Sequence, residues 1–272
     1  MTTVTNDGLL ALAAHLGVQT LPLVLAASPR HERYDDWAAA QDEALAGLRA
    51  DRLIDRHGDV EPGIATALFV LAQPDRELVA RIIADDKQIR ICLARRGAEH
   101  ALAVRRGDSY DLRTVWADGS SESLARPILD VLGPAPAAEV VNVSAPATEF
   151  RDRLDGAGSS ADYADAVYGL GVADRDATAY GLALETCHRY TELVAYAHAD
   201  GVLDRSPGAV VVYDTARGRI VATPGVAADQ QVWSTLAPGT DRRIGDAIRG
   251  LIESLPGGRW PADQSDVHDV NR

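Results

Sequence analysis

Lysine is almost missing from this chain: Lys87 is the single one, and arginine carries nearly all of the positive charge. The basic side chains fall well short of the acidic ones, leaving a formal net charge of −13 and a pI near 4.9. Nucleic acid and anionic membrane surfaces are therefore poor partners, because both demand a cationic footprint. Cysteine is scarce too. Cys92 and Cys187 lie far apart and supply no disulfide framework. Aromatic residues make up only 5%, so the core must be built from Leu, Val, Ile and Ala. No stretch approaches the ~20 apolar residues of a membrane span. The segment Met1 to Asp7 has no basic start, and Leu9 to Leu16 is short and interrupted by His15. A cytoplasmic protein without membrane insertion is expected.

Catalytic signatures are equally sparse. There is no G-x-S-x-G elbow, no glycine-rich phosphate loop, and no H-E-x-x-H or C-x-x-C spacing. The seven histidines are scattered. Cys187-His188 is a sequence neighbour pair, which does not by itself aim an imidazole at a thiolate. Asp85-Asp86 falls at a turn between strands, where adjacent carboxylates point apart. No catalytic residue, metal ligand or cofactor is expected.

What is present is a regular order of elements. At 272 residues the chain can bury roughly 70–75% of its unfolded surface without staples. A short extended start precedes a helix from Asp7 to Leu16, and the apolar run Leu21–Ala26 suggests a strand. Helices fit Tyr34–Arg49 and Glu61–Ala72, the second opened by Pro62. Four alternating segments follow, Leu78–Ala84, Gln88–Ala94, His100–Arg105 and Tyr110–Trp116, separated by short polar turns. A helix from Ser123 to Leu132 closes the half.

The second half repeats that order. A strand at Val140–Val143 leads to helices at Thr148–Leu154, Ala161–Leu170 and Ala173–Thr186. Strands at Tyr190–Ala197, Ala209–Asp214, Arg219–Thr223 and Gln231–Leu236 come next, then a helix at Arg242–Leu255. Glu77-Leu78-Val79-Ala80 matches Glu192-Leu193-Val194-Ala195, and Leu124, Ile128 and Leu132 match Ile244, Ile248 and Ile252 on one helical face. The expectation is a single α+β domain over residues 1–260, built from pseudo-repeats of about 21–134 and 138–258. A central antiparallel β-sheet would be flanked by helical bundles in a quasi-two-fold arrangement, with residues 261–272 as a flexible tail.

Several ordered pieces carry a family likeness. They are Asp7-Gly8-Leu9-Leu10, Gln73-Pro74-Asp75, Cys92–Gly97, Ser206–Thr215, Val232–Thr240 and Leu255–Trp260. Together they resemble the EspG family of proteins associated with the ESX (type VII) secretion systems of actinobacteria. That resemblance implies a cytosolic chaperone that binds the hydrophobic tip of a PPE protein in a PE–PPE heterodimer and keeps the pair soluble for export. It implies a contact surface on the central sheet and the C-terminal helices, here the strands around Tyr213 and Trp233 and the helices between Thr148 and Thr186. Tyr196, Tyr213, Trp233 and Thr235 are the candidate partner-binding residues, with core packing an open alternative for the aromatic ones. Some members carry a long insertion where this chain has the tight turn Asp85-Asp86-Lys87. Two other classes remain open: a small-molecule hydrolase using His188 or His198, and a structural subunit of the secretion machinery.

Overall fold

A computed structural model describes residues 2–85 and 87–260. The expected tail at 261–272 and the turn residue Asp86 lie outside the described residues. The described residues form eight helices and an eleven-stranded antiparallel sheet. In the first half β1 (Thr2–Thr5) runs into α1 (Asn6–His15), followed by α2 (Tyr34–Ala50) and α3 (Pro62–Ala72). The meander β2 (Arg76–Ala84), β3 (Lys87–Arg96), β4 (Glu99–Arg106) and β5 (Ser109–Val115) then leads to α4 (Ser121–Leu132). The second half starts with β6 (Val143–Pro146), α5 (Ala147–Leu154), α6 (Ser160–Tyr168) and α7 (Asp174–Leu184). It ends with β7 (Cys187–Ala199), β8 (Val202–Arg205), β9 (Val210–Thr215), β10 (Gly218–Val226), β11 (Val232–Pro238) and α8 (Asp241–Glu253).

The strand order is β1-β5-β4-β3-β2-β7-β9-β10-β11-β6, with β8 added to the free length of β7. It mirrors itself about the β2–β7 pair, so the two halves share one continuous sheet rather than two sheets placed side by side. Val79 and Val194, matched in the sequence repeat, stand directly opposite one another in that pair. A pseudo-two-fold axis passes between them.

Strand alternation gives the sheet two apolar faces. On the first, Leu78, Ala80 and Ile82 with Leu193, Ala195 and Ala197 meet the apolar stripes of α4 and α8. Both helices start on a hydroxyl cap: Ser120 accepts from the Ser123 N–H at 3.2 Å, and Thr240 from the Arg243 N–H at 3.2 Å. On the second face, α1, α2 and α3 cover the strands of the first half, and α5, α6 and α7 those of the second. Every strand in the middle of the sheet is thus paired on both edges, which leaves few open ladders.

Three expectations need correction. Leu21–Ala26 is not a strand: Leu23–Leu25 forms a 3₁₀ turn closed by Ala26 in the left-handed region, φ 46°. Its carbonyls are taken by side chains instead of a ladder, with Arg90 donating to Val24 O at 3.1 Å and Arg105 to Leu25 O and Ala26 O at 2.8 Å. The strand expected at Val140–Val143 begins only at Val143: its pairing with β11 ends at Leu236 opposite it, although β11 itself runs on to Pro238. The strand β8 was not anticipated. It folds back on β7 through Asp200-Gly201, both at positive φ (50° and 77°), the geometry a two-residue hairpin turn requires.

Candidate functional site

The second face of the sheet is not fully roofed. Val79 and Val194 at the centre of the β2–β7 pair are buried, but further along Arg81, Tyr190 and Glu192 are exposed and Ile83, Val211 and Tyr213 only half-buried. Cross-strand registers define the floor row by row. Ile83 faces Tyr190, which faces Tyr213; one step along, Arg81 faces Glu192, which faces Val211. Tyr190 is 37% exposed, whereas Tyr213 and Ile83 are half-buried.

At the edge of this strip the floor meets the second helical group in a groove of about 260 Å³. Leu154 at the end of α5, Tyr163 on α6 and Leu184 on α7 form its wall, and Tyr190, Tyr213 and Leu236 form its floor. Cys187 and Asp155 complete it, the carboxylate being the one acidic group in the lining. The wall is held by close packing of α6 on α7. A Cβ on Gly181 would stand 2.2 Å from the Ser160 carbonyl oxygen, so only glycine lets the helices approach this far. Tyr180 pins α7 from below through its hydroxyl, which donates to Val141 O at 2.5 Å.

The groove is electrically quiet. Burial pushes the Tyr213 hydroxyl up to about 12, helped by the neighbouring Cys187, Glu192, Tyr163 and Tyr190. Burial also raises the Cys187 thiol and thereby keeps it from thiolate chemistry; its S–H donates to Arg189 O at 3.4 Å. A mostly aromatic and aliphatic trough with a single carboxylate, Asp155, in its lining suits an apolar side chain rather than a polar substrate.

The four candidate binding residues are not brought together. Tyr213 lies in the groove. Tyr196 shares its face but packs toward the first helical group, against the core that holds Val79 and Val194. Trp233 and Thr235 project from the opposite face, since Leu236 and Ala222 point into the α5–α7 core and strand neighbours alternate. Thr235 there hydrogen-bonds Ser144 across the strand pair at 2.8 Å. Tyr163, Leu154, Leu184 and Tyr190 were missed in the sequence. For Tyr190 the signal was available: it shares the period-two phase of Glu192, Val194 and Tyr196 on β7, opposite to the buried Leu193, Ala195 and Ala197.

The two histidines considered for a hydrolase lie at opposite ends of β7. His188 sits in a bulge at the start of β7, where the register slips between Cys187 and Arg189. His198 lies near the far end of the same strand and contacts Glu77 at 3.0 Å. Among the described residues no group of three or more His, Cys, Asp or Glu side chains could hold a metal ion. No described helix is long and apolar enough to cross a membrane.

Comparison with known proteins gives a consistent picture. The model of the EspG family matches residues 5–250. The ESX-1 secretion-associated protein EspG1 of Mycobacterium tuberculosis (strain ATCC 25618 / H37Rv) is 30% identical over 268 residues, covering 97% of this chain and 90% of that protein. The ESX-3 secretion-associated protein EspG3 of Mycolicibacterium smegmatis is 26% identical over 268 residues, covering 98% and 91%. Among solved structures, the Mycobacterium tuberculosis type VII secretion system chaperone EspG5, in complex with the PE25–PPE41 dimer, superposes with a TM-score of 0.79. That pair is 22% identical, and the overlap covers 97% of this chain and 99% of EspG5.

Proposed function

This chain belongs to the EspG family, and from that premise we propose that it is a non-catalytic cytoplasmic chaperone of PE–PPE pairs in type VII secretion. The apolar tip of the PPE protein occupies the groove between the central sheet and α5–α7, and the pair stays soluble until export. One observation carries the reading: the trough of Leu154, Tyr163, Leu184, Tyr190, Tyr213 and Leu236 is open and mostly apolar, with Asp155 the one charged group in its lining. Burial of apolar area there contributes about 25 cal/mol per Å², offset in part by the cost of association. The acidic remainder of the surface keeps the free chaperone from self-association.

The test is capture. The chain is co-expressed with a panel of PE–PPE pairs that includes PE25–PPE41, and complexes are resolved by size exclusion. Wild type is expected to retain at least one pair. Tyr190→Asp places a carboxylate on the groove floor between Ile83 and Tyr213 and is expected to weaken capture at least about tenfold, with the circular dichroism spectrum unchanged. Retained capture by a folded Tyr190→Asp variant, or no capture of any pair by wild type, contradicts the reading.

A further inference from the structure

One row of side chains crosses the second face from β5 to β9. In register it runs Tyr110, Arg105, Arg90, Arg81, Glu192, Val211. Three arginines thus stand side by side on adjacent strands, about 4.8 Å apart, in a protein with a net charge of −13. Like charges opposite one another across a ladder are unfavourable, so each needs an acceptor.

Two of the three have one. Arg90 donates to Val24 O at 3.1 Å, and Arg105 donates to Leu25 O and Ala26 O at 2.8 Å. Tyr110 adds a bond to Leu25 O at 3.3 Å. Together they hold an apolar turn, Leu23-Val24-Leu25, flat against the sheet with Leu25 fully buried. The chain's own turn shows how this row receives an apolar loop. Arginine forks take the carbonyls that the turn cannot satisfy itself, while Leu25 enters the core, Val24 is half-buried and Leu23 stays exposed.

The third arginine has no such acceptor. Arg81 is exposed and makes no ion pair or side-chain hydrogen bond among the described residues, although Arg90 and Glu192 flank it across the ladder. It stands one strand from Tyr190 and on the diagonal to it, at the mouth of the groove. We infer that Arg81 holds the partner's main chain, its guanidinium donating to the carbonyls of the turn that closes the partner's apolar tip, as Arg90 and Arg105 do for Leu23-Val24-Leu25. This rests on the reading of the groove as the docking site. The acceptor is a carbonyl and not a carboxylate because Glu192 stands directly opposite Arg81: an incoming carboxylate would meet that like charge, and a neutral carbonyl does not.

The probe is the PE–PPE pair that wild type captures, titrated against wild type, Arg81→Gln and Tyr190→Asp at low and high salt. Arg81 is exposed, so Arg81→Gln is expected to keep the wild-type melting temperature. It is expected to weaken binding about tenfold or more at both salt concentrations, since the lost bond is to a neutral group in a desolvated cleft. A loss confined to low salt overturns the carbonyl assignment and points to a carboxylate. Wild-type affinity in Arg81→Gln alongside lost binding in Tyr190→Asp overturns the inference and leaves the groove intact. Wild-type affinity in both variants removes the groove and the inference together.

Discussion

At the scale of single residues, Glu77 is the place where function-neutral chemistry leaves a measurable mark. It is buried on β2, beside the axis of the sheet, with His198 at 3.0 Å and Cys92 on the neighbouring strand. Burial lifts its carboxyl above the ordinary value, against the opposing pull of His198. Burial also keeps the Cys92 thiol protonated, so it adds no competing charge. A carboxyl that is protonated more readily in the folded state contributes stability below its unfolded pKa, and that stability is lost as pH rises through the folded value. Glu77→Gln removes the charge and keeps a partner for His198. The variant is expected to melt above wild type at neutral pH, with the gap narrowing as pH falls through the raised folded value and closed below about 4.3. A thermal denaturation series across pH checks this; a variant that melts lower at neutral pH contradicts it. None of this was visible in the sequence, where Glu77 served only to match Glu192 in the repeat. The pairing of Glu77 with Tyr196, not with Glu192, follows from the antiparallel register of β2 on β7.

Elements were more legible than the contacts between them. Helices announced themselves by apolar period and by caps: Pro62 opens α3 as anticipated, and Ser120 and Thr240 cap α4 and α8. Meander strands were read from alternation and turn chemistry. The failures have physical causes. Leu21–Ala26 has the composition of a strand, but its carbonyls are claimed by Arg90 and Arg105, residues more than 60 positions away. β8 was hidden because Val202–Arg205 is short, although Asp200-Gly201 is a strong hairpin signal. The groove wall depends on a distance no periodicity reports, the approach of α7 to α6 at Gly181. Gly181→Ala would put a methyl group 2.2 Å from Ser160 O. It is expected to cost about 1–3 kcal/mol in urea unfolding and to weaken PE–PPE capture through displaced Tyr163 and Leu184. Unchanged stability would show that the two helices separate freely.

For the whole molecule, the repeat in the sequence and the mirrored strand order express the same duplication. The matched valines Val79 and Val194 lie opposite one another at its centre. Symmetry then explains the shape of the site. Two helical groups cover most of one face and leave only the stretch of the seam around Arg81, Tyr190 and Glu192 exposed, while α4 and α8 close the other face over the seam. What the sequence could not disclose is which face each candidate residue occupies, because a strand's phase has meaning only once its partner and core are known. Tyr213 fell on the open face, and Trp233 and Thr235 on the other. The account's central claim is therefore a claim about a face, and site-specific photo-crosslinking tests it directly. A photoreactive residue replaces Tyr190 in one variant and Thr235 in another, each mixed with the captured PE–PPE pair. Crosslinks to the PPE protein are predicted from position 190 and none from position 235; crosslinks from 235 alone would contradict the account.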